Sequence, residues 1–359
     1  MLKAAIVGAT GVVGQQFVLA LQHHPWFTLE TLAASQRSAG QTYGTALRDQ
    51  TTGALQWYAG PLPDRRVFDM PIEDAEALEA SRFDVIFTGI DAEPARVLEP
   101  HYAKSCPVIS TASAFRYEND VPVLVPGVND AHVGLLDVQR QQRGWQGFIT
   151  PNPNCTTTGL VITLAPLVQH FGIETVVMTS MQSVSGAGRN GGVLSLDIVD
   201  NLIPYIPKEE QKVQRETRKI LGRLTPSGLE PADMRMSVTC TRIPVIDGHT
   251  ESVLAVTRQR AEVSEIREAF EAFGQEFVQL GLPSSPQQFI VVHDDPFRPQ
   301  PRLDCHTDDG MATTVGRLRA DTAFDRGVQY VLVSHNTKMG AAKGAVLAAE
   351  LLVHRGYIG

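Results

Sequence analysis

The sequence predicts an α/β chain of two domains: a Rossmann-type parallel sheet with its helices, then an α+β domain built on a broad mixed sheet. Three observations carry this. Short apolar runs alternate with helical patterns through the first third. A glycine-rich loop joins the first of those runs to the first helical pattern. A proline-rich break at 150–154 separates that alternation from a region where strand signals dominate. At 359 residues the chain is also too long for one ordinary core.

Ala4 to Val7 is the first apolar run and ends at Gly8. From Val13 the apolar positions Val13, Phe17, Ala20 and Leu21 recur at helical spacing. Leu29–Ala33, Asp84–Thr88 and Pro107–Ser110 are further strand candidates, each followed by a polar break. Strands alternating with helices imply a parallel sheet covered on both faces. Residues 41–70 carry no clear period. Two prolines within Thr150-Pro151-Asn152-Pro153-Asn154 rule out a helix there and mark the boundary. A helix follows through Leu160, Leu164, Leu167, Val168 and Phe171. Strands are expected at Glu174–Met181, Met236–Ile243, Ser252–Thr257, Phe289–His293, Ala312–Leu318 and Gln329–Ser334. One helical pattern runs through Ile266, Phe270, Phe273, Phe277 and Leu280, and a last helix covers about 341–354.

Composition narrows the function. A net charge of −8, with Lys and Arg scattered, gives no basic stripe and argues against a nucleic-acid partner. No apolar run approaches the roughly 18 residues of a membrane span, and Met1 leads directly into Lys3-Ala4-Ala5-Ile6-Val7 without signal-peptide features. The four cysteines, Cys106, Cys155, Cys240 and Cys305, are far apart, have no metal-binding spacing and suit a reducing, cytoplasmic setting. No metal site is expected.

Gly8-Ala9-Thr10-Gly11-Val12-Val13-Gly14 has the form G-x-x-G-x-x-G, after a strand and opening a helix. That order is what a dinucleotide needs. Glycines let the backbone approach a pyrophosphate, and the helix N-terminus offers unpaired N–H groups and positive potential. An ordinary tight turn is the other reading. At the end of the second strand, Ser35-Gln36-Arg37-Ser38 holds no acid for a ribose 2′-hydroxyl. A cation with hydroxyls suits a 2′-phosphate, hence NADP.

Cys155 follows the Pro-Asn-Pro-Asn break and begins a helix. A thiol has a reference pKa of about 8.5, and a helix N-terminus favours the thiolate. Cys106, Cys240 and Cys305 read as buried structural cysteines, Cys240 within a strand pattern. An acid/base partner is needed. In Arg242-Ile243-Pro244-Val245-Ile246-Asp247-Gly248-His249, Asp-Gly signals a turn, so His249 stands at a loop-to-strand junction with Arg242 at the end of the preceding strand. His23, His24 and His354 look structural.

These segments together resemble the aspartate-β-semialdehyde dehydrogenases, most closely the archaeal and fungal branch, nearly end to end. The likeness rests on Gly8–Gly14, Ala34-Ser35-Gln36-Arg37-Ser38, Ala112-Ser113-Ala114-Phe115-Arg116 and Asn154-Cys155-Thr156-Thr157. It continues in Gln182-Ser183-Val184-Ser185-Gly186-Ala187-Gly188, Leu196-Asp197-Ile198, Glu209-Glu210-Gln211-Lys212, Arg242–His249 and Ser334-His335-Asn336-Thr337 with Gly340-Ala341-Ala342. Arg189-Asn190-Gly191-Gly192 departs from the family's wording after Ser-Gly-Ala-Gly.

The resemblance implies a glyceraldehyde-3-phosphate dehydrogenase-like fold, with an NADP-binding domain at 1–150 completed by 336–359 and a catalytic and dimerisation domain at 151–335. It implies that Cys155 attacks L-aspartyl-β-phosphate, that phosphate leaves a thioester, and that NADPH reduces this to the semialdehyde. His249 corresponds to the acid/base and Gln182 to a residue orienting the acyl group. Asn154 with nearby N–H groups would stabilise an oxyanion. Arg242 corresponds to the carboxylate clamp, Glu209 to the ammonium contact, and Lys212 and Arg116 to phosphate contacts. Gly8, Thr10, Gly11, Val12, Val13, Ser35, Arg37 and Ser38 would hold the nucleotide; Ser185, Gly186, Gly188 and Asn336 would flank the nicotinamide end. Without the resemblance, Glu209 and Lys212 read equally as an ion pair on one helix and Arg116 as a loop charge.

A malonyl-CoA reductase would keep Cys155 and His249, but its substrate has no ammonium for Glu209. N-acetyl-glutamyl-phosphate reductases word the cysteine segment differently, and an inactive scaffold would be expected to lose the cysteine or histidine. The family is oligomeric, so a homodimer or homotetramer is expected, joined through the second domain.

Overall fold

The computed structural model describes residues 1–188 and 195–359. The unusual Arg189-Asn190-Gly191-Gly192 stretch lies outside the described residues. The chain forms two compact units. The first comprises Met1–Leu124, His132–Asn152 and Ala341–Gly359, and the second Val125–Ala131 and Pro153–Gly340.

The first unit is built on β1 (Leu2–Val7), β2 (Phe27–Ala34), β3 (Ile72–Asp74), β4 (Val85–Thr88), β5 (Val108–Ser110) and β6 (Ile149–Pro151). They are ordered β3-β2-β1-β4-β5-β6, and every neighbouring pair is parallel. Ala4, Ala5, Ile6 and Val7 are fully buried, as a continuous apolar run in a doubly covered parallel sheet requires. The order reverses between β1 and β4, and ligands of such sheets bind beyond the carboxyl ends at that point. The glycine loop leaves β1 there and enters α1 (Val12–Leu21). Helices α2 (Ala92–Ala103) and α3 (Leu135–Arg143) belong to the same unit, as does the C-terminal helix Ala342–His354, which packs on α1. His24 ties this helix down: its Nδ1 accepts the N–H groups of Trp26 and Phe27, and its Nε2 lies 2.8 Å from the buried Glu350. That is the structural role its sequence setting suggested.

The second unit carries β7 (Ile173–Gln182), β8 (Arg235–Arg242), β9 (His249–Thr257), β10 (Ile290–Val292), β11 (Thr313–Ala320) and β12 (Gly327–Ser334). Their order is β8-β7-β9-β12-β11-β10. The β8/β7 and β10/β11 pairs are parallel and the other three antiparallel, so the sheet is mixed as expected. Helix α4 (Cys155–Phe171) lies on one face of this sheet, its residues 156–167 all buried. Helix α5 (Glu209–Ile220) packs against α4 and β8, and α6 (Val263–Ala272) against α4 and β10.

One local reading needs revision, and two short strands have no signal of their own in the sequence. The pattern from Ile266 to Leu280 is not one helix: α6 ends at Ala272, and a short turn of helix, Gln275–Val278, follows. Gly274 breaks it at φ +77, where an added Cβ would stand 2.4 Å from the Phe289 ring. Strand β6 falls on Ile149–Pro151, inside what the sequence shows as a break; Pro151 is tolerated on an edge strand. Strand β3 is three residues long and too short to show a period.

Candidate active site

In the first unit the glycine loop has the close approaches that explain its residues. Gly8 sits at φ +83, and a Cβ there would meet the Gly89 carbonyl oxygen at 2.4 Å. A Cβ on Gly14 would meet the Gly8 carbonyl oxygen at 2.1 Å, so α1 can press against the loop only through glycine. Gly11 is the N-cap of α1 and brings no capping side chain, leaving that helix end for an anion. Thr10, Val12 and Val13 are half-buried around it, and Ser35 and Arg37 are exposed after β2 while Ser38 is buried. Residues 35–38 hold no carboxylate, which fits a phosphate on the adenosine ribose.

Arg116 also belongs to this unit. It is 6% exposed, and its Nη2 donates to the Thr111 carbonyl at 2.8 Å. Near it lies Glu99, fully buried on α2. One carboxyl oxygen accepts the hydroxyls of Thr88 and Ser110, both at 2.6 Å. Burial pushes the Glu99 carboxyl up to about 7, against the pull of those hydroxyls and of Arg116.

The second unit brings together most of the residues the sequence nominated. Cys155 is the first residue of α4. Asn154 caps that helix, its side-chain oxygen accepting the N–H groups of Thr156 at 3.0 Å and Thr157 at 3.3 Å. The cap points the thiol out of the helix end while Thr156, Thr157 and Gly159 are buried beneath it. Cys155 Sγ lies 3.1 Å from His249 Nε2. His249 opens β9 after the Asp247-Gly248 turn and is wholly buried. Its Nδ1 accepts the backbone N–H of Ser183 at 3.1 Å, with the Ser183 hydroxyl at the same distance.

A main-chain N–H can only donate, so Nδ1 carries no proton in this arrangement. The neutral ring then holds its proton on Nε2, facing the sulfur. Burial, the Arg242 guanidinium and His335 together push the ring down to about 3. Arg242 ends β8, is 6% exposed, and donates to the Ser183 carbonyl at 2.7 Å. Desolvation lowers the guanidinium's affinity for its proton, while the charges of Cys155 and Glu209 oppose that. Gly186 faces both side chains: a Cβ there would stand 3.0 Å from the His249 ring and 3.1 Å from Arg242 Nη1. A glycine here leaves room above the base and the clamp.

Glu209 and Lys212 lie on the first turn of α5. Glu209 is 6% exposed; one carboxyl oxygen accepts the Asn154 side-chain amide at 2.7 Å, and the other the Lys212 ammonium at 3.2 Å. Gln182 ends β7 beside Arg242, is nearly fully buried, and donates to Ser180 Oγ at 3.2 Å. Asn336 accepts the Gly248 N–H at 2.9 Å and donates to Ser185 Oγ at 2.8 Å, so it clamps the turn before His249 to the turn at 184–187. Gly188 follows that turn at φ +65.

Sequence reasoning gave no role to two residues that shape this centre. Ser183 sets the tautomer of His249. Glu216, wholly buried, accepts the backbone N–H of Asn154 at 2.6 Å. Its spacing from Glu209 was the available signal, because seven residues are two helical turns and put both acids on one face.

Family comparisons agree with this picture. Residues 3–135 match the model described as semialdehyde dehydrogenase, NAD binding domain, and residues 164–339 the one described as semialdehyde dehydrogenase, dimerisation domain. The aspartate-semialdehyde dehydrogenase of Methanothermobacter thermautotrophicus is 44% identical over 352 residues, covering 98% of this chain and 99% of that protein. The Cryptococcus neoformans enzyme of the same name is 41% identical, covering 99% and 98%. Among solved structures, Candida albicans aspartate semialdehyde dehydrogenase with NADP superposes with a TM-score of 0.88 at 36% identity, over the whole of both chains. The fold, the thiol–imidazole pair and these likenesses converge: the chain belongs to the aspartate-semialdehyde dehydrogenase family.

Proposed function

We propose that Cys155 is the nucleophile with which this chain converts L-aspartyl-β-phosphate to L-aspartate-β-semialdehyde and phosphate. The reaction is an NADP-dependent, reversible oxidoreduction of amino-acid biosynthesis. The observation that carries the assignment is the 3.1 Å contact between Cys155 Sγ and His249 Nε2 at the N-terminus of α4.

The residues divide the work by charge. Arg242 offers a planar, mostly buried fork to the α-carboxylate, and Glu209 a buried carboxylate to the α-ammonium. Sγ attacks the acyl carbon as the thiolate that the helix end favours, its proton released to solvent, and the positive end of α4, with the Asn154 side-chain amide beside it, stabilises the oxygen that becomes negative. Loss of phosphate leaves the thioester on Cys155. Phosphate departure calls for a proton. Burial and Arg242 disfavour a doubly protonated His249 in the free chain. The anionic phosphoryl group supplies the opposite field, so the ring takes up a proton from solvent at Nδ1, which then donates to the Ser183 hydroxyl. His249 Nε2–H then serves the leaving oxygen. Lys212 and Arg116 are the phosphate contacts, and Gln182 orients the acyl group. When bound, NADPH supplies the hydride that reduces the thioester. The glycine loop with Ser35, Arg37 and Ser38 would hold its adenosine half, and Ser185, Gly186, Gly188 and Asn336 would border its nicotinamide end.

Residues 1–150 and 336–359 serve as the cofactor domain, and 151–335 as the catalytic and assembly domain. The working form is at least a homodimer in the cytoplasm, which suits four cysteines that form no disulfide. Among the described residues no helix is long and apolar enough to cross a membrane. The deciding experiment is NADPH oxidation with L-aspartyl-β-phosphate against malonyl-CoA. Turnover of aspartyl phosphate that is lost in Cys155→Ala is expected; a preference for malonyl-CoA would overturn the substrate, and full activity without Cys155 would overturn the chemistry.

A further inference from the structure

The substrate's ammonium and its phosphate are read by two residues that hold each other when no substrate is present. Among the described residues each carboxyl oxygen of Glu209 has one hydrogen-bond partner: Oε1 takes the Asn154 amide and Oε2 takes Lys212 Nζ at 3.2 Å. Glu209 is nearly buried, whereas the Lys212 side chain is 33% exposed on a flexible stem. A second cation cannot join Oε2 without standing beside Lys212 Nζ, where like charges repel. The partly exposed pair is cheap to break.

We infer that the substrate ammonium displaces Lys212 from Glu209 and so releases Lys212 to bind the phosphate, making amino-group recognition a switch for phosphate binding. The inference rests on the proposed roles of Glu209 and Lys212. It adds that the two subsites are coupled. An acyl group without the amine leaves Lys212 on Glu209, and the phosphate then lacks a cation. The coupling is reciprocal, since linkage requires each ligand to favour the other equally.

The test titrates inorganic phosphate calorimetrically into the full NADP-loaded chain carrying Cys155→Ala, which blocks turnover. The chain is first saturated with aspartate semialdehyde or with succinate semialdehyde, which lacks the amine. Phosphate should bind at least about fivefold more tightly with the amino aldehyde, the lower end for coupled sites. Ordinary attraction between ammonium and phosphate would give some of this, so Lys212→Met decides. In that variant the difference between the aldehydes should collapse to near onefold, with phosphate weakened in both cases. Glu209→Gln, which keeps an acceptor for Asn154, should also level the two aldehydes, by tightening phosphate in the amine-free case. Equal phosphate affinities with Lys212 in place, no measurable phosphate binding, or a difference that survives Lys212→Met would each overturn the inference. Turnover of aspartate semialdehyde, phosphate and NADP by the unaltered chain tests the parent reading separately: if it is absent, the reaction is wrong, whatever the coupling shows.

Discussion

The backbone N–H of Ser183 donates to Nδ1 of His249 at 3.1 Å, and this one bond decides which face of the imidazole carries its proton. Nε2, 3.1 Å from Cys155 Sγ, is left as the donor. The resting pair is therefore a neutral ring donating toward sulfur, and an imidazolium would oppose its hydrogen to the Ser183 N–H. A base held this way gains a second proton only when an anion arrives.

His249→Gln should lower kcat by about 10²- to 10⁴-fold, the range for a lost acid/base. It should also change the pH dependence of stability. The folded ring is pushed down to about 3, from 6.5 in a model compound. Between those values the unfolded chain binds a proton there and the folded chain does not. Stability contributed by the neutral ring is present above about 6.5 and is lost as pH falls toward 3. His335, also pushed down to about 3, acts in the same direction. Urea denaturation across this window should show a shallower slope in His249→Gln than in the parent chain; an unchanged slope would show that His249 titrates normally.

The four thiols should separate cleanly by reactivity. Cys106 and Cys240 are wholly buried, and burial pushes both up to about 12. Burial raises Cys305 as well. Cys155 is the one with partial exposure, at a helix N-terminus that favours its anion. One equivalent of iodoacetamide should label Cys155 first and inactivate in step, as peptide mass spectrometry would show. Labelling of another cysteine at the same rate, with activity retained, would remove Cys155 from the mechanism.

How much of this was legible beforehand follows from the range of the forces involved. The glycine loop, the capped cysteine and the Asp247-Gly248 turn are set by neighbours within a few residues, and the sequence displays them. Strand β3 and the break at Gly274 depend on partners far along the chain. Gly274 is a turn because the Phe289 ring occupies the space its Cβ would need. The grip of Ser183 on His249 joins positions 66 apart, and no local pattern announces it. The Glu209–Lys212 contact was visible as a spacing, but not the burial of Glu209 that separates it from an ordinary surface pair.

Arg37 should set the cofactor preference. It is exposed, and residues 35–38 contain no acid. A phosphate on the adenosine ribose gains a charge-assisted contact from Arg37, whereas NADH offers only a hydroxyl there. Arg37→Ala should raise KM for NADPH by about tenfold or more, from the loss of roughly 1.5–3 kcal/mol for a hydrogen bond to a charged group. KM for NADH should change little. Parallel loss with both cofactors in steady-state assays would place Arg37 outside the phosphate contact.

The open face of the second sheet carries the assembly prediction. On one side, Val176, Met178 and Ser180 of β7 are buried. On the other, Ser237 of β8, Val177 of β7 and Leu254 of β9 lie in one row across the strands, and Thr239, Thr179, Ser252 and Val331 of β12 in the next. These side chains are small or medium and uncharged, the first row continuing through Gln329 of β12 to Arg319 of β11, and Val177 is 39% exposed. A sheet face with an uncharged centre invites another such face, and the twofold pairing of identical surfaces is the commonest route to an oligomer. Val177→Glu would place a charge within that contact, where burying it without a dedicated partner is costly. Sedimentation velocity at micromolar concentration should shift the chain from dimer or larger to monomer. The variant should retain the parent's far-ultraviolet circular dichroism, because residue 177 points away from α4. A Val177→Glu chain that sediments like the parent would move the subunit contact off this face.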